Sequence, residues 1–314
     1  MEIVEYQDAD PLGVLRLNLL GLNYALTPER MATILRLDPR PFPFFGVYAI
    51  QDGIVAGQVG VYRLPMLSID GPEEVGGACA VCTHPAFNRR GVATLLLTEA
   101  HARMRAAGLR FSTLGTSRYL VAHRLYQSQG YVDVFSPNVV FARLEDVGRE
   151  THLRAGRAGE HEMELAEEIF ERAAAGYLGF ARRHRSFLSI LVATGDLPSD
   201  EVWLLWDGFE PVGYALVNIQ EDLLRLNSLL LVDGVEAAAA VSALAQDKNI
   251  SYLQIRIDQP SVLVSLRQAG YPCGVPGWST FMIKPLVPGA TVELARRLFG
   301  IGTERFLISY IDVT

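Results

Sequence analysis

Residues 83–104 read THPAFNRRGVATLLLTEAHARM. A proline-bounded turn carrying Arg89 and Arg90 passes through a lone glycine, Gly91, into Val92, Leu95, Leu96, Ala100 and Met104 at helical spacing, and Gly108 closes the segment. The first amides of a helix lack partners within it and sit at the positive end of its dipole, so this entry is built like an anion site. A Cβ at Gly91 would hold a diphosphate off those amides, and the small Ala93 lets the turn pack closely. Arg89 and Arg90 can add charge-assisted bonds to phosphate oxygens. Two other phosphate-binding devices are excluded: no Gly-Lys-Ser/Thr follows the glycine, and no G-x-G-x-x-G follows the first strand.

Outward from this stretch, strands and helices alternate. MEIVEYQ opens as a strand and residues 10–38 are largely helical in pattern. FFGVYAIQDGIVAGQVGVYRLPM is a hairpin turning on Asp52-Gly53, and a second turn at Asp70-Gly71-Pro72 precedes the strand holding VGGACAVCT. LRFSTLGTS is a strand, LVAHRLYQSQG a short helix, and YVDVFSPNVVFARLED two short strands. An echo follows: WLLWDGFEPVGYALV (203–217) repeats the hairpin pattern of YAIQDGIVAGQVGVY, and VSLRQAGYPCGV (264–275) repeats RLYQSQGYVDV. The chain therefore reads as two copies of one α/β unit, residues 1–147 and 148–314. In the second copy the turn before the helix carries Asp233 and Glu236, carboxylates that repel phosphate, so that copy is expected to bind no such cofactor. The tail PGATVELARRLFGIGTERFLISYIDVT reads as a helix and a terminal strand needing a sheet edge.

With 314 residues, two domains are expected. A hydrophobic half, one fifth charged residues and a net charge of −7 without like-charge blocks indicate a packed globular chain. They argue against nucleic-acid binding, and the acidity is weighed as favouring a neutral or cationic small substrate against a role in solubility alone, the weightier of the two. No apolar run reaches the ~20 residues of a membrane span, and the acidic start lacks a signal core. Three cysteines suit a reducing cytoplasm. Cys79 and Cys82 are expected on opposite faces of one strand, as packing residues, and no spacing suggests a metal site.

VCTHPAFNRRGVATLLL resembles the GNAT superfamily of acyl-CoA-dependent N-acyltransferases, whose Gln/Arg-x-x-Gly-x-Gly/Ala turn holds the pyrophosphate of coenzyme A on its amides. Here the turn is Asn88-Arg89-Arg90-Gly91-Val92-Ala93, continued by Thr94; Asn88 departs from the usual Arg or Gln. A second motif, Ala-x-x-x-Tyr-x-x-x-Gly-Phe/Tyr, is similar to Ala122–Tyr131, with Tyr119 where the family often has Asn. The resemblance covers residues 1–145 well and the second half faintly. It implies α/β (α+β) architecture: two tandem GNAT-like domains, each a mixed, mostly antiparallel sheet flanked by helices, the second degenerate. It further implies acetyl-CoA as donor cosubstrate, no metal, and a small-molecule or peptide amine as acceptor, and it leaves a homo-oligomer open.

Amide formation from a thioester needs a polarised carbonyl, a neutral amine and a proton for the leaving thiolate. The resemblance gives the first task to the backbone of Val81, Cys82 and Thr83, on a fourth strand splayed from the fifth. It gives the third to Tyr126, as general acid. Asp70, Glu73 and Glu74 precede that strand and are weighed as a base against a plain solvated turn. His84 reads as a turn residue, and His123 as packed or solvent-facing. Trp203, Trp206 and Trp278 are weighed as walls of an acceptor cleft against core packing. Two readings stand: an N-acetyltransferase, and a non-catalytic CoA-sensing or scaffolding pseudoenzyme.

Overall fold

A computed structural model of the chain describes all residues except 148–150, 247, 248, 278 and 314. The first half runs β1 (Glu2–Glu5), α1 (Pro11–Leu22), α2 (Pro28–Leu37), β2 (Pro41–Gln51), β3 (Ile54–Ser68), β4 (Gly71–Thr83), α3 (Val92–Ala106), β5 (Phe111–Ser117), α4 (Val121–Ser128), β6 (Val132–Phe135) and β7 (Asn138–Arg143). The second runs β8 (Arg154–Arg157), α5 (Met163–Ala173), β9 (Leu178–Gly179), α6 (Phe187–Thr194), β10 (Val202–Asp207), β11 (Glu210–Gln220), β12 (Leu223–Leu231), α7 (Ala237–Ala245), β13 (Tyr252–Arg256) and α8 (Pro260–Gln268). It ends with β14 (Cys273–Pro276), β15 (Ser279–Pro285), α9 (Val292–Phe299) and β16 (Phe306–Leu307).

These elements build two mixed, mostly antiparallel sheets flanked by helices. Their strand orders are β1-β2-β3-β4-β5-β15-β6 and β14-β7-β13-β12-β11-β10-β8, with β9 and β16 added beside β3. Parallel pairing is confined to β4 with β5 and β9 with β16 in the first sheet and to β12 with β13 in the second. The halves are interlocked. β15 seals the outer edge of β5 over seven residue pairs, while β7 pairs with both β13 and β14. A division of the chain at residue 147 thus separates each of these strands from the sheet it completes.

Local signals place the site. Both residues of the Asp52-Gly53 turn have positive φ (54° and 75°), the twist a two-residue hairpin needs between β2 and β3. Asp10 caps α1 by accepting from the amides of Leu12 and Gly13, and Thr27 caps α2 through the Arg30 amide. α3 buries Val92, Leu96, Leu97, Ala100, His101 and Met104 against one face of the first sheet. Leu95, expected on that face, is 41% exposed: a run of three leucines cannot all face one sheet, and Leu97 takes the inward place. α1 and α2 cover the opposite face through Val14, Leu17, Met31 and Ile34. The tail's α9 packs on the first sheet with Phe281 and Leu64, but its strand is only Phe306–Leu307, paired in parallel with β9. Beyond it the chain continues without a ladder, where a longer strand was expected.

Candidate active site

The turn ahead of α3 has the conformation its sequence requires. Gly91 is the N-cap residue with φ +78°, no side chain among the described residues caps the helix, and a Cβ there would meet nothing within 4 Å. The left-handed backbone needs glycine, and the empty space beside it admits a ligand. Arg89 also has positive φ, 61°, and Arg89 and Arg90 are both exposed, with the Arg90 guanidinium over Phe87. His84 is a turn residue: its Nδ1 accepts from the amide of Ala86.

β4 leads into this turn and parts from β5. The two strands pair only at Gly76–Ser112 and Gly77–Thr113, so from Cys79 to Thr83 the outer edge of β4 has no strand partner among the described residues. Val81, Cys82 and Thr83 lie along that edge. A bulge lies at its start: Gln58 pairs with Cys82 and Gly60 with Cys79, so Val59 alone opposes Ala80 and Val81, and Ala80 has φ +47°. The bulge overturns one expectation. The extra residue resets the alternation, so both thiols face the α1 side: Cys79 packs on Gly60, and Cys82 on Gly21 of α1. Burial pushes each thiol up to about 12, which keeps them neutral and poor nucleophiles.

Tyr126 of α4 is 7% exposed and packs edge-on against Tyr131. Burial, with a smaller contribution from the nearby Cys79 and Cys82, pushes its phenol up to about 12. The Tyr131 hydroxyl is engaged by His101 (2.9 Å) and Ser112 (2.7 Å), whereas the Tyr126 hydroxyl makes no hydrogen bond among the described residues.

The carboxylates weighed as bases lie elsewhere. Glu73 is bound by Arg110 through two bonds (2.6 and 2.9 Å), and Glu74 faces Arg63. With Asp70 they stand at the start of β4, on the other side of the β4–β5 pairing from the gap. His123 is packed, its Nε2 3.0 Å from both carboxylate oxygens of Asp133. Trp203 and Trp206 are core residues of the second sheet, each 8% exposed; Trp278 lies outside the described residues. Among those residues no group of His, Cys, Asp and Glu could hold a metal ion.

Sequence reading missed the cavity beside the gap. On the α1 face of the gap a cavity of about 430 Å³ is lined by Asn18, Tyr24, Cys79 and Ala80, by Asp196 from the second half, and by Tyr310 from the tail. Asp196 accepts from Tyr24 (2.7 Å), Arg30 (2.8 Å) and Thr194 (2.8 Å), which ties the α1–α2 loop to the second half. No local pattern marks residues brought together from four distant segments.

The second copy's equivalent places are filled. The first amide of α7, at Ala237, donates to Ser265 Oγ, and Gln259, fully buried, bonds both the amide and the carbonyl of Leu231 where β12 outruns β13. The protein's own side chains close the helix end and the gap that stay open in the first copy.

Residues 24–132 match the family model described as an acetyltransferase (GNAT) domain. This segment, about a third of the chain, is similar to a GNAT acetyltransferase domain. The matched segment contains the bulge, the Gly91 turn and Tyr126. Among solved structures, 91% of the chain superposes on 72% of a probable N-acyltransferase of Enterococcus faecalis V583 (TM-score 0.69, 13% identity). It superposes likewise on 73% of a GCN5-related N-acetyltransferase of Anabaena variabilis (TM-score 0.65, 15% identity) and on 74% of Eis1 of Mycobacterium abscessus (TM-score 0.58, 14% identity). At such identities the likeness is one of fold, and it extends over both halves. No curated protein matches the sequence. Among the described residues no helix is long and apolar enough to cross a membrane.

Proposed function

We propose that this GNAT protein is an N-acetyltransferase that moves the acetyl group of acetyl-CoA to a primary amine, in the cytoplasm and without a metal. The observation that carries the reading is the uncapped α3 N-terminus, opened by Gly91, at the mouth of the gap between β4 and β5. The amides from Asn88 to Thr94, with Arg89 and Arg90, are suited to a diphosphate; Val81, Cys82 and Thr83 present an edge that can receive the pantetheine arm and polarise the thioester. Tyr126 is suited to protonate the leaving thiolate as a general acid, since burial keeps its phenol in the protonated form at neutral pH. The amine enters from the α1 side, where the tail and the second half enclose the cavities. Residues 148–314, apart from the exchanged β15, serve as a substrate-shaping copy.

The test is thiol release from acetyl-CoA with a panel of primary amines. Tyr126→Phe is expected to slow turnover on the order of 10²-fold with acetyl-CoA affinity unchanged. Unchanged turnover would assign the proton to another group. Acetyl-CoA binding without transfer to any amine would favour a CoA-sensing protein.

A further inference from the structure

Asp258 lies two residues beyond β13, only 4% exposed, where the second sheet opens past the Leu226–Ile255 pair. Its Oδ2 is buried and has no hydrogen-bond partner among the described residues. The nearest buried guanidinium, Arg183, is already committed to Asp312 through bonds of 2.7 and 3.0 Å. Burial pushes the Asp258 carboxyl up to about 7. The hydroxyls of Ser228 and Ser309 and the charge of Arg183 oppose that rise, and Asp312 adds to it. Tyr214 and Tyr310 also face the group. An unpartnered buried carboxylate oxygen is costly, and such groups persist where a ligand supplies the missing donor.

A cavity stands in front of it. Asp258 lines a space of about 300 Å³ together with Gly115 and Thr116, at the end of β5 that β4 has left. Phe281 and Ile308 make part of the wall apolar, and Arg256 enters it, its guanidinium 5.2 Å from the Tyr310 ring centre. One carboxylate oxygen without a partner among the described residues, one guanidinium and apolar walls in so small a space match a molecule that is cationic at one end, anionic at the other and apolar between. The larger cavity on the far side of the tail is less suited to an ammonium, because its carboxylate, Asp196, already accepts from three donors.

We propose that this cavity is the acceptor subsite and that it takes an apolar α-amino acid, its ammonium on Asp258, its carboxylate on Arg256 and its side chain against Phe281 and Ile308. The inference rests on the N-acetyltransferase reading and names its substrate class. The bound ammonium gives one proton to Asp258. The resulting amine nitrogen attacks the thioester carbonyl carbon, so that a C–N bond forms and the C–S bond breaks. The leaving thiolate takes the phenolic proton of Tyr126, and the nitrogen's second proton restores that phenol. The products are the N-acetyl amino acid, the free thiol of CoA and one proton that Asp258 returns to water.

Calorimetric titration of the full chain at about pH 8, in excess CoA, separates the parts of this assignment. The probes are L-leucine, 3-methylbutylamine, which lacks the carboxylate, and 4-methylpentanoate, which lacks the ammonium. L-leucine is expected to bind tightest and 4-methylpentanoate not at all. Asp258→Asn should weaken L-leucine roughly tenfold or more, and Arg256→Gln should weaken L-leucine while leaving 3-methylbutylamine unchanged. Asp258→Asn should also raise the melting temperature at that pH, since it removes a buried charge, so loss of binding is not mistaken for loss of fold. Equal L-leucine affinity in wild type and Asp258→Asn, or tighter binding of 3-methylbutylamine than of L-leucine, would overturn the assignment. Failure of L-leucine to bind while CoA still binds would sink the subsite and spare the transferase reading. Failure of CoA alone would do the reverse.

Discussion

His101 shows how much a single buried side chain can set. It is 1% exposed, its Nε2 meets the Tyr131 hydroxyl and its Nδ1 meets Lys284 Nζ at 3.1 Å. Burial, then the charges of Lys284 and Arg105, depress its pKa to about 3. The folded protein thus holds it neutral while the unfolded chain protonates it below about 6.5, so stability is full above that value and falls as pH drops toward 3. The slope is about 1.4 kcal/mol per pH unit from this one site. Urea denaturation at descending pH should show His101→Gln losing stability less steeply than wild type below about 6.5. Parallel curves would mean that His101 takes a proton in the fold. The same network saturates Tyr131 and leaves Tyr126 free, a division of labour between two tyrosines five residues apart that their types alone do not reveal.

At the scale of elements, the reading from sequence went furthest where the signal was local. Gly91, the Asp52-Gly53 turn, the helix of α3 and the segment Ala122–Tyr131 were legible because each conformation is dictated by residues a few positions apart. The face of Cys79 and Cys82 was not, because strand alternation holds only until a bulge inserts a residue, and Ala80 carries no compositional mark of its positive φ. The tail was half legible. Its apolar β-branched end is buried, yet only Phe306–Leu307 pair as a strand, since Asp312 is drawn to Arg183 instead of into a ladder. Arg183 is also over Phe170 at 3.9 Å and bonded to the Tyr214 hydroxyl at 2.5 Å, which makes the pair a buried anchor for the segment that walls both cavities. Asp312→Ala leaves that guanidinium uncompensated and should cost on the order of 3–5 kcal/mol in urea unfolding. A cost under about 1 kcal/mol would show that the tail is held by its apolar residues alone.

The whole molecule is two mixed sheets whose halves exchange a strand, β7 completing the second sheet and β15 the first. Repeated hairpin and helix patterns suggested two similar units, but the exchange was invisible, because no local pattern in β7 or β15 says which sheet each strand joins. Its consequence is mechanical: β5, which borders the gap, has β15 from residues 279–285 on its other side. A fragment of residues 1–147 would expose that edge, together with the Phe281, Met282 and Ile283 contacts it loses. Such a fragment should fail to give a cooperative thermal transition, while the full chain melts as one unit. A fragment that folds and binds acetyl-CoA by itself would show that the interlock is dispensable. The closed helix end and gap of the second copy fit this division, in which one unit keeps the open gap and the other provides walls.

The claim on which the account turns is that the open start of α3 holds the diphosphate of acetyl-CoA. Calorimetric titration with acetyl-CoA of the wild type and of Gly91→Glu, each verified as folded, measures it directly. The account predicts saturable binding at one site in the wild type and its loss in the variant, where a carboxylate and a Cβ enter the space the phosphates need. Equal affinity in the two proteins would contradict it.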